Sequence, residues 1–191
     1  MILIDGKHVA SVMKEEVKKE VAELAKEGIK PCLAIVQVGN DPASSIYVRN
    51  KKKLGEDLGY DCKITQLPEE TKEEDLIQLI RMLNAANEVN GILVQLPLPR
   101  HMNEEHILNM IEPIKDVDCF TFYNTAKMWT ARKHDVSLKA CTPAACIELL
   151  KRYNIPISGK HVVVIGRSNI VGKPVACLSL LEDATVTICH S

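Results

Sequence analysis

The sequence predicts an α/β fold with two domains that each contain a parallel sheet, and three observations support this prediction. Short apolar runs alternate along the chain with amphipathic segments of helical period, which is the order of βαβ units. The apolar runs are nearly continuous, as in strands that helices cover on both faces. The alternation is interrupted by a polar stretch over residues 119–141, which we interpret as an irregular connection. We therefore expect a first domain over residues 1–140 and a second over residues 141–191.

The first domain is predicted to alternate four helices with three strands. The first helix has valines on one stripe, with lysines and glutamates on the opposite face. Thr71 is followed three positions later by Glu74, a pattern that predicts a capping box at the start of the third helix. The expected helices are 8–27, 43–58, 71–86 and 103–111, and the expected strands are 31–39, 61–66 and 91–99.

The second domain is predicted to contain one βαβ unit after a leading helix. Thr142 is expected to cap that leading helix, with Pro143 in its first position. The expected elements are helices over 142–153 and 172–181 and strands over 161–166 and 184–191. Because a doubly wound nucleotide-binding domain has several more strands, we expect the chain to be a truncated part of a longer protein.

Composition argues against several classes of function. The 191 residues carry a formal net charge of −1, whereas proteins that coat nucleic acids or anionic membranes usually carry a basic excess. No apolar run approaches the roughly 20 residues of a membrane span, and the N-terminus lacks a signal-peptide pattern. The seven cysteines form no C-x-x-C pair, and the six histidines form no metal-binding pattern. We expect a cytoplasmic protein with reduced, mostly buried thiols and no metal, nucleic-acid or membrane partner.

The segment GRSNIVGKP, residues 166–174, is a candidate nucleotide site. It lies between a predicted strand and a predicted helix, where a phosphate-binding turn belongs. Ser168 replaces the second glycine of the dinucleotide fingerprint, and Gly172 comes one position late. A purely structural strand-to-helix turn therefore remains an alternative.

The end of the following strand indicates which nucleotide is bound. NAD-selective sites place an acidic residue there, to bind the ribose hydroxyls. In this chain the strand ends in His190 and Ser191, whereas Glu182 and Asp183 precede it. Because a carboxylate would repel a 2′-phosphate that Arg167 and Ser191 could bind, we expect NADP rather than NAD. A surface arginine without a ligand is the alternative for Arg167.

The segment YVRNKKKLGEDLGY, residues 47–60, carries a candidate catalytic lysine. At about 100° per residue, Tyr47 and Lys51 share one predicted buried stripe with leucines 54 and 58. Burial would disfavour the charged form of Lys51, which suits proton transfer near neutral pH. The alternative is that its ammonium group reaches solvent along the aliphatic stem. The opposite, solvated face is predicted to hold Arg49, Lys52, Lys53 and Glu56.

Two further polar features lie near predicted strand or helix ends. Gln95 is a lone amide in the apolar segment GILVQLPLP, and a buried amide must find hydrogen-bond partners. A structural hydrogen bond and a contact with a ligand or Lys51 both remain open. Asp116 and Asp118 follow a predicted helix in KDVDCF. One of these carboxylates facing a cleft would bind a heterocycle rich in donors; a solvated acidic pair is the alternative.

Five motifs follow one another along the chain: SIYVRNK (45–51), GILVQLPLP (91–99), KDVD (115–118), CTP (141–143) and GKHVVVIGRSNIVGKP (159–174), the last continuing through TVTICHS (185–191). Together they resemble the bifunctional methylenetetrahydrofolate dehydrogenase/cyclohydrolase family. The resemblance implies NADP-dependent oxidation of methylenetetrahydrofolate and hydrolysis of the methenyl product to formyltetrahydrofolate, in one-carbon metabolism and purine biosynthesis. It implies a cleft between a folate-binding catalytic domain and a Rossmann-type NADP domain, and a homodimer.

The resemblance also implies a role for each candidate residue. Lys51 would move protons as water adds to the methenyl carbon, and Gln95 would be its hydrogen-bond partner. Tyr47 would stack on the folate, and Asp118 would bind the pterin ring nitrogens. The neighbours of Gln95 that would contact the substrate are Val94 and Leu96. The four residues that would contact the cofactor are Gly166, Arg167, Ser168 and Ser191.

The sequence departs from the family pattern at four positions. Ala126 and Ala145 stand where glycine is usual, Ala140 replaces a usual proline, and Cys119 stands where glycine is common. Glycine often serves positive φ or the close approach of a ligand. We therefore expect the added methyl groups to affect the dehydrogenase more than the cyclohydrolase. The alternatives are a degenerate paralogue that binds folate without turnover and a different two-domain NADP-dependent dehydrogenase.

Overall fold

The structure is a computed structural model that describes residues 2–130, 132, 135–136 and 138–191. The described residues confirm the α/β class and contain every predicted helix and strand in order, together with one helix in the stretch 119–141 that the sequence did not predict. The helices are α1 (Gly6–Lys26), α2 (Pro42–Leu58), α3 (Glu73–Ala85), α4 (Glu104–Leu108), α5 (Phe122–Thr130), α6 (Cys141–Arg152) and α7 (Gly172–Leu181). The strands are β1 (Cys32–Val38), β2 (Asp61–Leu67), β3 (Gly91–Val94), β4 (His161–Ile165) and β5 (Thr185–Cys189).

The chain divides into two compact units, Ser11–Asp116 and a second formed by Met1–Ala10 with Val117–Ser191. The domain boundary that we predict between residues 140 and 141 stays a prediction. The expectation of an irregular connection over 119–141 is wrong for its first part, because α5 lies there. Residues 131, 133, 134 and 137 of the same stretch lie outside the described residues.

The unit Ser11–Asp116 is built on a parallel sheet with the strand order β2-β1-β3. The central strand β1 is buried along almost its whole length, which explains its continuous apolar sequence. Leu33 lies opposite Cys62 on one side and Gly91 on the other, so the carboxyl ends of all three strands meet at one edge. The core beneath the helices contains, among others, Leu76, Ile80, Ile92 and Ile107.

Both ends of helix α2 are capped by hydrogen bonds. Pro42 is its first residue, and the Asp41 carboxylate accepts a hydrogen bond of 2.7 Å from the backbone N–H of Ser44. That hydrogen bond holds the pKa of Asp41 below its usual range. At the other end, Gly59 has φ 90° and donates its N–H to the carbonyl of Gly55.

Two predicted helix caps are wrong. Lys72 precedes α3 without a side-chain cap, and the Thr71 hydroxyl instead donates to the carbonyl of Pro68 at 2.7 Å. Helix α6 begins at Cys141, so Thr142 lies inside its first turn and Ala140 occupies the N-cap position. The predicted N-cap of α3 is one residue too early, and the predicted N-cap of α6 is two residues too late. Offsets of this size are the usual uncertainty of helix ends.

The unit Met1–Ala10 with Val117–Ser191 contains the two-stranded parallel sheet β4-β5, with Ile165 opposite Cys189. Helices α6 and α7 contribute Ile147 and Cys177 to its buried cluster. Over the described residues, no helix is both long and apolar enough to cross a membrane.

All seven cysteines are reduced thiols in the structure. The expectation that most of them are buried is wrong. Cys32, Cys119 and Cys177 are buried, and burial raises the pKa of the Cys177 thiol to about 11. The exposed thiols are Cys141, Cys146 and Cys189.

Candidate functional site

The amine of Lys51 contacts the amide of Gln95, although the two residues are 44 positions apart. Lys51 lies on α2, and Gln95 follows Val94, the last residue of β3. The Gln95 backbone N–H donates to the carbonyl of Val36 at 2.8 Å and so continues the ladder between β3 and β1. This bond fixes the backbone of Gln95 at the carboxyl edge of the sheet, which is where ligands of open α/β sheets bind.

The orientation of the Gln95 amide is determined by two hydrogen bonds. Its Nε2 donates to the carbonyl of Leu96 at 2.8 Å, and its Oε1 accepts from Lys51 Nζ at 3.1 Å. Because a carbonyl can only accept, the amide nitrogen must face Leu96 and the oxygen must face Lys51. The lysine amine is therefore held at a defined position beside the strand end.

The predicted buried stripe of α2 is wrong for Tyr47. The side chain of Tyr47 is 62% exposed, and Lys51 is half-buried. The buried face of α2 consists of Ser44, Val48, Gly55 and Leu58. The solvated face is confirmed, because its four predicted members are all exposed: Arg49, Lys52, Lys53 and Glu56.

Close packing at Gly55 explains why the buried face is displaced from Tyr47. A Cβ at this position would lie 2.9 Å from the ring of Tyr60 and 3.3 Å from Cβ of Cys62. The helix thus approaches β2 through its smallest residue, which turns Tyr47 towards the edge of the packed face. The small residues Ser44 and Gly55 were the sequence signal that could have placed this face.

The structure distinguishes Asp116 from Asp118. Asp116 is 1% exposed and forms a parallel bridge with Ile92, whose N–H donates to the carbonyl of Lys115 at 2.7 Å. Asp118 is half-buried and its Oδ1 lies 3.4 Å from the thiol of Cys141. Asp116 is therefore part of the folded framework, whereas Asp118 is only half-buried and its carboxylate contacts Cys141. Asp118 belongs to a different compact unit from Lys51.

Lys115 has a structural role that the sequence did not reveal. Its ammonium group donates to the carbonyls of Leu83, Asn84 and Ala86 at 3.1, 2.7 and 2.8 Å. These carbonyls belong to the C-terminal end of α3, where carbonyl groups lack partners within the helix and the dipole attracts a cation. The first residue of the KDVD motif thus anchors the segment that carries Asp118.

A cavity of about 700 Å³ lies at the carboxyl edge of the three-stranded sheet, and sequence reasoning missed it. Its lining includes Asp41, Glu69, Arg100 and His101 together with the Pro97–Pro99 turn. None of the five site residues predicted in this unit lines the cavity, so the Lys51–Gln95 pair is a separate feature of the same edge.

The departures from the family pattern lie in different environments. Cys119 is buried and has φ 59°, a left-handed conformation that favours glycine. Ala140 is buried at the N-cap of α6. Ala126 and Ala145 are exposed. The expected effect of these methyl groups on the dehydrogenase stays a prediction.

The turn after β4 is held against the end of β5 and the start of α7 by hydrogen bonds. Gly166 has φ 120° and donates its N–H to the carbonyl of Cys189 at 2.8 Å. The Ser168 hydroxyl accepts from the N–H groups of Val171 and Gly172 at 3.2 and 3.1 Å. The Ser168 hydroxyl therefore satisfies the N–H of Gly172, the first residue of α7, whose N-cap is Val171, and glycine at position 168 could not form this hydrogen bond. Gly172 approaches the carbonyl of Gly166 so closely that a Cβ there would lie 2.5 Å from that oxygen.

The residues predicted to select NADP lie at one edge of the β4-β5 sheet. Ile165 and Cys189, the last residues of β4 and β5, pair in a parallel register. Arg167 therefore follows the carboxyl end of β4, and Ser191 follows the carboxyl end of the neighbouring β5. Both are exposed. Glu182 precedes β5, at the opposite end, and pairs with Lys151 at 2.5 Å. The residues present therefore fit a phosphorylated dinucleotide. Arg167 supplies a positive charge in the turn, and the described residues at the end of β5 include no carboxylate that would repel a 2′-phosphate.

Comparison with known proteins covers nearly the whole chain. Residues 4–118 match the catalytic domain described as "Tetrahydrofolate dehydrogenase/cyclohydrolase", and residues 140–191 match its NAD(P)-binding domain. The "Bifunctional protein FolD" of Agathobacter rectalis is 53% identical over 189 residues, which cover 99% of this chain and 67% of the relative. The chain thus spans about two thirds of the length of this relative.

Solved structures of similar proteins agree with this match. The structure of the bifunctional FolD enzyme from Campylobacter jejuni has a TM-score of 0.94 to this chain at 41% sequence identity. The match includes 100% of this chain and 67% of the Campylobacter jejuni chain. The Trypanosoma brucei methylenetetrahydrofolate dehydrogenase-cyclohydrolase, solved with NADP and an inhibitor, has a TM-score of 0.93 at 37% identity. Here 99% of this chain covers 64% of that protein.

Proposed function

Because the chain belongs to the tetrahydrofolate dehydrogenase/cyclohydrolase family, we propose that it oxidises methylenetetrahydrofolate with NADP and hydrolyses the methenyl product to formyltetrahydrofolate. The observation that carries this proposal is the contact between Lys51 Nζ and Gln95 Oε1 at the carboxyl edge of the sheet. A positioned amine next to a fixed amide is suited to proton transfer. The relatives that share both matched domains carry the name of the bifunctional enzyme.

In the hydrolysis, we assign proton transfer to Lys51. The Lys51 amine is proposed to accept a proton from the water that adds to the methenyl carbon. In the adduct, the hydroxyl loses its proton as the formyl C=O forms, the bond from this carbon to one ring nitrogen breaks, and that nitrogen takes up a proton. Gln95 keeps Nζ in place during both transfers because its own amide is held by Leu96. Val94 and Leu96, on either side of Gln95, complete the proposed substrate contacts.

Tyr47 and Asp118 are proposed to bind the folate. Tyr47 lies one helical turn before Lys51 and exposes 62% of its surface, which a stacking side chain requires. Asp118 is only half-buried, and its carboxylate is suited to accept hydrogen bonds from the pterin ring nitrogens.

Four residues are proposed to hold the cofactor in the second unit. When bound, NADP accepts the hydride that leaves the methylene carbon. The turn formed by Gly166, Arg167 and Ser168 would hold the phosphates at the start of α7, and Ser191 would contact the ribose end. The Arg167 guanidinium would pair with the 2′-phosphate.

The decisive experiment compares Lys51→Met with Lys52→Met, a neighbouring exposed lysine on the solvated face. Cyclohydrolase turnover of methenyltetrahydrofolate should fall by about 10²–10⁴-fold in the first variant and stay unchanged in the second. Folate affinity should change little in either. Turnover in Lys51→Met within a few-fold of the unmodified protein would contradict the role of this lysine.

A second experiment concerns the cofactor. The unmodified protein should form NADPH from methylenetetrahydrofolate faster than NADH, and Arg167→Ala should raise the KM for NADP much more than the KM for NAD. Equal rates with both nucleotides would contradict the assignment.

The proposal also includes a homodimer in the cytoplasm that supplies formyl groups for purine biosynthesis. The family assignment and the reduced thiols support it. Sedimentation equilibrium at micromolar concentration tests the dimer directly.

A further inference from the structure

Cys141 contacts the carboxylate that we propose as the pterin anchor. Its Sγ lies 3.4 Å from Asp118 Oδ1 and 3.6 Å from the carbonyl oxygen of Val117. Cys141 is the first residue of α6, and Asp118 lies 23 positions earlier in the segment that follows the three-stranded sheet. The contact therefore joins two elements that are distant in sequence.

The chemistry of the contact fixes which group donates. An ionised carboxylate and a carbonyl oxygen can only accept hydrogen bonds, whereas a thiol carries one weak donor. The Cys141 thiol is therefore the donor in both contacts. A donor on one carboxylate oxygen restricts rotation about χ2, a torsion that is otherwise soft in aspartate.

We infer that Cys141 is a positioning residue for folate binding, which holds the Asp118 carboxylate in the orientation that accepts the pterin nitrogens. This inference rests on the proposed function, because the role of Asp118 is part of that proposal. Cys141 does not touch the reacting atoms and acts only through Asp118.

The residues next to the contact are packed. Asp116 and Ala140 are each 1% exposed, and Cys119 is 3% exposed. A shift of either segment to replace a lost hydrogen bond would therefore disturb buried groups. The side chain of Cys141 itself is exposed, so a substitution there leaves the core intact.

The test measures the Kd of tetrahydrofolate by calorimetry in three variants. Cys141→Ala removes the donor and should weaken binding about three- to tenfold, the effect of one lost hydrogen bond. Cys141→Ser keeps a donor and should restore most of the affinity. Cys146→Ala is the matched control, since Cys146 is an exposed cysteine on the same helix. Its affinity should equal that of the unmodified protein.

Steady-state turnover of the methenyl substrate adds a second readout. Cys141→Ala should raise KM by the same factor and leave kcat within about twofold, a split that general destabilisation would not produce. In an Asp118→Asn background, Cys141→Ala should have no further effect on Kd.

Failure of this inference and failure of the proposed function give different results. Equal Kd values for Cys141→Ala and Cys146→Ala, or no recovery in Cys141→Ser, would overturn the positioning role even in an active enzyme. Absence of turnover in the unmodified protein would instead remove the proposed activities, while the Kd comparison would still decide the role of Cys141.

Discussion

Replacing Gly172 by alanine tests whether the approach of α7 to the turn after β4 requires glycine. The added Cβ would lie 2.5 Å from the carbonyl oxygen of Gly166, 2.8 Å from its carbonyl carbon and 2.9 Å from the N of Arg167. All three atoms are backbone, so no side chain can rotate away. The shortest distance is about 0.9 Å below the 3.4 Å at which ordinary contact begins. The Gly166–Arg167 peptide must therefore move relative to the helix.

The size of the effect follows from two opposing terms. Forcing extra atoms into a packed site costs about 1–3 kcal/mol. Alanine in a helix gains up to about 1 kcal/mol over glycine because the unfolded chain has less freedom to lose. We expect a net loss of about 1–2 kcal/mol in the free energy of unfolding. Because the displaced peptide forms the proposed phosphate turn, the Kd for NADP should also rise at least about tenfold.

Gly6→Ala provides the matched control. Gly6 is likewise the first residue of a helix in the same compact unit, but the nearest atom to an added Cβ is Leu149 Cδ2 at 4.0 Å. This variant keeps the gain and avoids the clash, so it should be stabilised by about 0.5–1 kcal/mol. Urea unfolding monitored by circular dichroism measures both variants. Equal stability of Gly172→Ala and Gly6→Ala, with unchanged NADP affinity, would refute the reasoning from close approach.

Three other predictions concern single residues. Cys119→Gly should be about 1 kcal/mol more stable than Cys119→Ala, because both lose the thiol and only alanine keeps the penalty of φ 59°; equal urea midpoints would count against this. Lys115→Met should lose about 2 kcal/mol of stability, since three carbonyl groups at the end of α3 lose a charged donor, and an unchanged melting temperature would contradict that. The backbone N–H of Asn103 lowers the pKa of Glu73, so this carboxylate stabilises the fold fully above its unfolded-state value of about 4.3 and less as pH falls through the lowered value. Glu73→Gln should therefore be less stable at pH 7 and match the unmodified protein at strongly acidic pH; a constant difference would show that the charge is not responsible.

The sequence was sufficient for the order of elements and for the family. Each strand of the three-stranded sheet and each flanking helix was predicted to within a few residues at the ends, except that the predicted strand over 91–99 stops at Val94. These predictions succeeded because period and turn residues are local properties of the chain. The resemblance, carried by long motifs in family order, is confirmed by the matches to both domains.

The helix α2 shows what a local pattern could not decide. Periodicity separated the solvated lysines from Lys51, but it placed Tyr47 on the buried face. The buried face of α2 is instead the one that approaches β2 closely at Gly55. Helical periodicity cannot predict this approach, because it depends on the distance between two separate segments. The local sequence also could not distinguish Asp116 from Asp118 in the KDVD motif. Only the structure shows that Asp116 forms a bridge with Ile92 and is buried.

The sequence by itself therefore determined the elements, their parallel arrangement and the family, because hydrophobic period, glycine and proline positions and long motifs are written along the chain. Only the tertiary structure decided which polar groups meet. It brought Lys51 to Gln95, Lys115 to the end of α3 and Cys141 to Asp118, over separations of 23 to 44 residues. Such contacts depend on how the chain folds back in space, and a hydrogen bond forms only where distance and direction are both satisfied.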